Sequence, residues 1–175
     1  LVRLQKRRFQ VLNVAGGGQA ASAVSVSEDQ TGALWTGTFG NGLVRWQDGR
    51  METFTMPGGR GRGFVFSVHP GADGMLWLSA GDEDLYVFQN GRLERVSPWV
   101  HAVKCILPSR DGKTVWLGTK SGLFVCTNLS TRVFVPHAAI ARSVDIRALA
   151  EDRRGVLWAG GGDGNLYRVE GAVAT

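Results

Sequence analysis

Three histidines, His69, His101 and His137, are the first residues to weigh for metal or acid–base chemistry. They are widely separated, and none has a second donor at the short spacing by which one turn or strand presents two ligands to an ion. His69 follows an apolar stretch and reads as structural. The acidic run Asp82, Glu83 and Asp84 lacks the alternating oxygen ligands and spaced glutamate of a calcium loop, so it reads as an exposed hairpin tip. GGGDGN from Gly160 is glycine-rich, yet it has neither a Gly-Lys-Ser/Thr ending nor a following helix and does not make a phosphate loop. No serine sits in a nucleophile elbow. Cys105 and Cys126 show neither a metal nor a redox spacing and are expected as two buried free thiols. No catalytic residue, metal site or cofactor is implied.

Binding chemistry is better represented. Arg60 and Arg62 lie in GGRGRG, Trp99 and His101 in SPWVHAV, Lys120 in GTKSGL, Arg142 in IARSV and Asp163 in GGGDGN. An exposed aromatic beside basic groups can stack on a sugar ring or hold a carboxylate. The alternative for Trp99 is that it folds back to plug a gap in the core. The formal charge is +5 and the pI 9.8, but the basic residues are scattered rather than stacked, so no nucleic-acid partner is expected. Lys6, Arg7 and Arg8 read as a solvated hairpin tip.

Whether these dispersed groups meet depends on the elements that carry them. Those elements are set by a repeat. EDQTGALWTGT, PGADGMLWLSA, SRDGKTVWLGT and EDRRGVLWAGG align on Trp35, Trp77, Trp116 and Trp158, at spacings of 42, 39 and 42 residues. Each tryptophan follows a glycine turn and precedes a second turn, after which comes an apolar stretch: NGLVRWQ, EDLYVFQ, SGLFVCT and GNLYRVE. LVRLQKRRFQVL from Leu1 superimposes on LVRWQDGRMETF from Leu43 with the same shift of 42, so the chain starts inside a repeat. It also stops inside one, with no room after Glu170-Gly171 for another full strand.

Apolar residues alternate with period two in each unit, the pattern of strands. First strands are expected at SAVSVS, FVFSV, VKCIL and DIRAL; second strands carry the tryptophan; third strands are of the GLVRW type; fourth strands are METFT, RLERV and RVFV. Asp48-Gly49 and Asn90-Gly91 favour two-residue hairpins between third and fourth strands. Twenty-five glycines and only five prolines in 175 residues fit many short strands with tight turns. Four antiparallel strands per repeat make the blade of an all-β propeller. The expected division is outer strands of a preceding blade at 1–12, complete blades at 22–56, 64–96 and 102–135, and an incomplete blade at 144–175. The four tryptophans then serve as wedges between blades. Cys105 and Cys126, in the first and third strands of one blade, stand about 9.5 Å apart, too far to bond. Connections between blades and turns joining second to third strands share one face around the channel, which brings together Arg60, Arg62, Trp99, His101, Lys120, Arg142 and Asp163.

VDIRALAEDRRGVLWAGGGDGNLYR from Val144 and VSVSEDQTGALWTGTFGNGLVR from Val24 resemble the two-component regulator propeller repeat, in which Glu-Asp, a glycine turn, Leu-Trp-x-Gly-Thr and Gly-Leu-Tyr/x-Arg follow one another. The middle copies depart from it: Glu-Asp aligns with Pro70-Gly71 and Ser109-Arg110, and Gly-Thr with Ser79-Ala80. The resemblance implies rings of about seven blades, hence a fragment here, on the periplasmic or extracellular side of bacterial receptors. It further implies a non-catalytic sensor that binds a glycan or other small-molecule ligand. Its output domain, a histidine kinase or diguanylate cyclase, would lie elsewhere in the parent protein, which could also dimerise. The alternatives are a protein-interaction scaffold and a propeller lyase. No apolar run approaches the roughly 20 residues of a membrane span, so no membrane contact is expected within this segment. The charged start LVRLQKRRFQ does not read as a secretory signal.

Overall fold

The structure is a computed structural model and describes residues 12, 21–57, 63–71, 74–81, 83–96, 100–171 and 173–174. The expected outer strands at 1–12, the basic tip Lys6–Arg8, the acidic Asp82, and Arg60, Arg62 and Trp99 lie outside the described residues, Leu12 excepted.

Period-two alternation becomes four separate antiparallel sheets of four strands, each in simple sequential order. The first holds β1 (Ser22–Glu28), β2 (Leu34–Phe39), β3 (Leu43–Gln47) and β4 (Arg50–Phe54). The second holds β5 (Val65–Pro70), β6 (Leu76–Ala80), β7 (Asp84–Gln89) and β8 (Arg92–Arg95). The third holds β9 (Val103–Pro108), β10 (Val115–Thr119), β11 (Gly122–Cys126) and β12 (Val135–Pro136). The fourth holds β13 (Ile146–Glu151), β14 (Leu157–Gly161), β15 (Leu166–Glu170) and the two-residue β16 (Val173–Ala174). First strands of successive sheets are neighbours, β1 by β5, β5 by β9 and β9 by β13. These are four consecutive blades of an incomplete β-propeller. One expected strand moves: RVFV from Arg132 does not pair as written, because Arg132 turns with φ 53° and pairing with β11 begins only at Val135.

The conserved-looking letters of the repeat now have physical jobs. Asp29 Oδ1 accepts the backbone N–H groups of Thr31 (2.8 Å) and Ala33 (3.1 Å), and Oδ2 accepts the Trp35 indole N–H at 2.6 Å. Asp152 does the same for Arg154, Val156 and Trp158. One carboxylate therefore closes the turn between first and second strands and aims the indole that follows. Burial works upward on the Asp29 carboxyl, but hydrogen bonds from the Thr31 hydroxyl, the Trp35 indole and the turn amides outweigh it and hold the group below its ordinary 3.8. In the third blade the equivalent pair is Pro108-Ser109, one residue before the Ser109-Arg110 of the sequence alignment. There Ser109 N–H bonds Thr114 O and Ser109 Oγ accepts the Thr114 N–H, so the turn contains one extra residue.

The aimed indoles fill the seams between blades. Trp35, 4% exposed, packs with Phe54 of its own blade against Phe88 of the next. Trp77, fully buried, meets the edge of Phe134 in the third blade. Trp116 is half-buried in the seam with Leu157, Ala159 and Val169 of the fourth blade. Trp158 is half-buried on the last sheet, which no further described blade covers. On the opposite face of the first sheet, Leu12, Ala23, Val26, Leu34, Val44, Trp46 and Met51 line a shallow apolar groove. Val26 is 68% exposed and, on the fourth sheet, Leu166 is 66% exposed, as expected for blade faces that no described blade covers.

Candidate functional site

Antiparallel order places the turns joining second to third strands and the connections between blades at the same end of every sheet. Threonine shapes these turns in two blades. Thr38 and Thr119, both fully buried, donate through Oγ1 to Gly42 O (2.8 Å) and Gly122 O (3.0 Å) and accept the amides of Asn41 and Ser121. Main-chain bonds then tie turns to connections: Gly42 N–H to Gly63 O, Gly81 N–H to Phe64 O, Val103 N–H to Glu83 O, Lys120 N–H to Ala102 O and Gly162 N–H to Asp145 O. The result is one continuous rim.

Between the second and third blades the rim carries an ionic cluster. Ala80 stands at the place of Thr38 and Thr119, and Asp84 at the place of Gly42 and Gly122. Asp84 is 8% exposed. Its Oδ2 takes Arg95 Nη2 at 2.7 Å and its Oδ1 lies 3.0 Å from His101 Nδ1. Lys104 pairs with Glu83 beside it. For Asp84 this corrects the reading of an exposed tip, because a buried carboxylate is sustained here by two basic partners. Apolar β7 immediately after Asp84 was the available clue: a charge opening a wholly buried strand needs a partner.

The other expected residues divide. Lys120 and Arg142 are exposed and flank Gly122, where an added Cβ would sit 3.3 Å from Arg142 Cα; among the described residues neither side chain has an ionic or hydrogen-bonding partner. Asp163 is spent within its own turn: Oδ1 accepts the Asn165 amide at 3.1 Å and Oδ2 accepts from Tyr167 Oη and Asn165 Nδ2. The Tyr167 hydroxyl holds the Asp163 carboxyl below its usual range, and the same bond pushes the phenol up. Sequence reasoning missed an aromatic patch at the far side of the rim. Phe39, 43% exposed, packs at a tilt on Phe64 with ring centroids 4.5 Å apart and meets Phe66 edge-on at 5.7 Å. Its signal was available, since Phe39 follows Leu-Trp-Thr-Gly-Thr directly, at the start of a rim turn.

The remaining chemical candidates stay apart. His69 is half-buried opposite Trp77, and burial pushes its pKa down. His137 lies against Trp116. Both cysteines are free; burial pushes the Cys105 thiol up to about 11, against a hydrogen bond from the Gly118 amide, and burial also raises Cys126. Among the described residues no three His, Cys, Asp or Glu side chains come together as a metal site. No helix there is long and apolar enough to cross a membrane.

No family model matches the chain, and no curated protein matches it. Solved structures do. The extracellular domain of a hybrid two-component system from B. thetaiotaomicron is 25% identical over 83% of this chain and 20% of its own length, with a TM-score of 0.66. The corresponding domain of a second hybrid two-component system from that organism is 21% identical over 82% of this chain and 21% of its own, with a TM-score of 0.59. Virginiamycin B lyase from Staphylococcus aureus, solved with quinupristin as a catalytically inactive variant, aligns with 95% of this chain and 58% of its own at 15% identity, with a TM-score of 0.76. The last two likenesses concern fold alone. This chain spans about a fifth of the two-component domains. Their fold and the repeat motif agree with the two-component regulator propeller resemblance.

Proposed function

We propose that this chain is part of the ligand-sensing β-propeller of a bacterial two-component receptor, exposed on the periplasmic or extracellular side, without catalysis of its own. It binds at the rim and passes the event to an output domain elsewhere in the parent protein. The observation that carries this reading is the composition of the rim: an exposed phenyl ring stacked at Phe39, unpaired cations at Lys120 and Arg142, and an ordered ionic cluster at Asp84 between them. Aromatic faces stack on sugar rings and guanidinium groups hold carboxylates, so an oligosaccharide, including one with acidic sugars, is the ligand class the rim suits. The likeness to extracellular two-component domains supports the signalling context, and the wider scaffold fold is shared with a lyase. A lyase reading would need an acid and a base free to reach a substrate at the rim; Asp84 is buried there and paired with Arg95 and His101.

The test is titration of the 175-residue chain with neutral and acidic oligosaccharides, followed by NMR and calorimetry. Saturable binding that weakens in Phe39→Ala and in the Lys120→Ala/Arg142→Ala double variant, with unchanged thermal unfolding, is expected. Oligosaccharide binding that ignores all three substitutions would remove the rim from the site. Binding only to a folded protein partner would favour the interaction scaffold.

A further inference from the structure

At the opposite end of the blades, the three seams are filled differently. The outer-strand position opposite the third-strand residues Leu43, Leu85 and Leu123 holds Phe54, Val96 and His137 in turn. The facing position on the next blade holds Phe88, Cys126 and Val169. Around Trp35, two phenylalanines close the seam, and around Trp77, Phe134 does so. Around Trp116 neither position is a large hydrocarbon, and a cleft of about 710 Å³ opens between the third and fourth blades. Its inner wall is the Trp116 indole with Leu157 and Val169, and its side is the His137 imidazole, 5.1 Å from the indole and edge-on to it.

The surroundings of the imidazole disfavour its charged form. Its Nδ1 accepts the Ala139 N–H at 3.4 Å, and burial pushes its pKa below the ordinary 6.5. The mouth is formed by Asp111, Glu151 and Glu170; among the described residues no lysine or arginine lines the cleft itself, and Arg168 stands beside it, paired with Glu170. Each carboxylate is already oriented: Asp111 accepts from Ser109 Oγ at 2.7 Å and the Lys113 amide at 3.0 Å, Glu151 from the Arg110 amide at 2.8 Å, and Glu170 pairs with Arg168 at 2.5 Å. Each keeps lone pairs for a further donor. An aromatic and aliphatic pocket of ligand size, with an imidazole at its side and three carboxylates at its mouth, only Glu170 of which is paired with an arginine, selects a molecule with an apolar body and a positive head.

We propose that this inter-blade cleft is a second binding site, separate from the rim, for small organic ammonium ions whose hydrocarbon part enters the seam against Trp116 and whose ammonium group faces the acidic mouth lined by Asp111, Glu151 and Glu170. The apolar part replaces the side chain that Phe88 supplies in the first seam. A carboxylate ligand is disfavoured by repulsion at the mouth. A neutral isostere gains the seam contacts and loses the charge contacts.

The experiment is titration of the full 175-residue chain with 2-phenylethylammonium, 2-phenylethanol and phenylacetate, read from the indole N–H resonances of the six tryptophans. The amine should shift the Trp116 resonance saturably, the alcohol should bind about ten-fold more weakly, and the acid should not bind. Val169→Phe fills the cleft and should abolish amine binding. The isosteric Asp111→Asn/Glu151→Gln/Glu170→Gln variant preserves the shape and should bring amine binding down to the level of the alcohol. Equal binding of amine and alcohol, amine binding unchanged in the isosteric variant, or binding that survives Val169→Phe would each overturn the proposal. Rim variants should leave the amine titration unaltered, so the outcome here is independent of the oligosaccharide test.

Discussion

In three of the four blades a glycine stands two residues after the tryptophan, and it permits a decisive comparison, because the same substitution should act in opposite directions in two of them. An added Cβ at Gly118 would lie 2.4 Å from Cys105 Sγ, 2.6 Å from Ile146 Cγ2 and 2.8 Å from Ile146 O. The two side-chain atoms can rotate away. The carbonyl belongs to β13, the innermost strand of the next blade, and retreats only if the seam opens. Overpacking of this kind costs about 1–3 kcal/mol. Gly37 meets the equivalent Val65 O at 2.6 Å, so this close approach recurs between the first and second blades.

Gly160 occupies the matching place in the fourth blade. A Cβ there finds only Ala148 Cβ at 3.5 Å and Ala148 O at 4.0 Å, and its φ is not positive. Gly160→Ala therefore removes unfolded-state freedom without native strain, a gain of about 0.4–1 kcal/mol. For a chain of this size, each kcal/mol moves Tm by about 2–4 °C. Gly118→Ala should lower the midpoint of thermal or urea unfolding and Gly160→Ala should raise it. Equal shifts, or an unchanged midpoint for Gly118→Ala, would refute the claim that the glycine exists for blade-to-blade contact. In a longer protein where another blade follows Gly160, its substitution should become costly too, so the same variant measured there reports whether that contact forms.

Trp77→Ala, which empties a fully buried seam, should cost about 3–5 kcal/mol by urea unfolding, and Trp158→Ala clearly less, since the Trp158 face has no described neighbour. Asp29 has a folded-state pKa below its ordinary value, so its contribution is present above about pH 4 and is lost as the pH falls through the folded value. Asp29→Ala should accordingly flatten the acid limb of the stability profile, and an unchanged limb would refute the carboxylate clasp. The raised Cys105 thiol stays protonated in the fold to about pH 11, so its contribution is present below the unfolded-state value near 9 and declines above it. Cys105 and Cys126 should both resist a thiol reagent at pH 8 until the chain unfolds, as followed by absorbance of the released chromophore.

Fold and seams were legible because they rest on repetition. Each tryptophan sits beside a turn whose closing group lies in the same short segment, so a local pattern encodes a tertiary wedge. Even the third-strand arginine follows: Arg45 pairs across from Trp35 and its guanidinium lies 5.5 Å from the indole ring, and Arg168 stands opposite Trp158. Where the motif decays, the letters misled. Gly71 replaces the turn aspartate, and the Trp77 indole N–H is buried without a partner among the described residues. The extra residue in the third turn shifted the alignment by one. The rim was harder to read, because Asp84, Arg95 and His101 come from two blades and their charge pairing has no local signature. Phe39 and the inter-blade cleft depend on which neighbours are small, and no single repeat states that.

The two ends of the blades divide the work of the domain by the kind of contact each uses. At the rim, turns and connections are joined by main-chain hydrogen bonds whose geometry does not depend on the side chain. Gly42 bonds Gly63 across the first junction, and Val103 bonds Glu83 across the second. Exposed side chains there, such as Lys120 and Arg142, can change without breaking these bonds, which suits a surface that selects a ligand. Inside the seams the reverse holds. Cohesion comes from side-chain volume, so exchanging Phe88 for Cys126 or Val169 changes how tightly adjacent blades pack. The third seam, with a histidine and a valine around a half-buried indole, is the junction at which an occupant can change the relation of two blades while the main-chain rim remains intact.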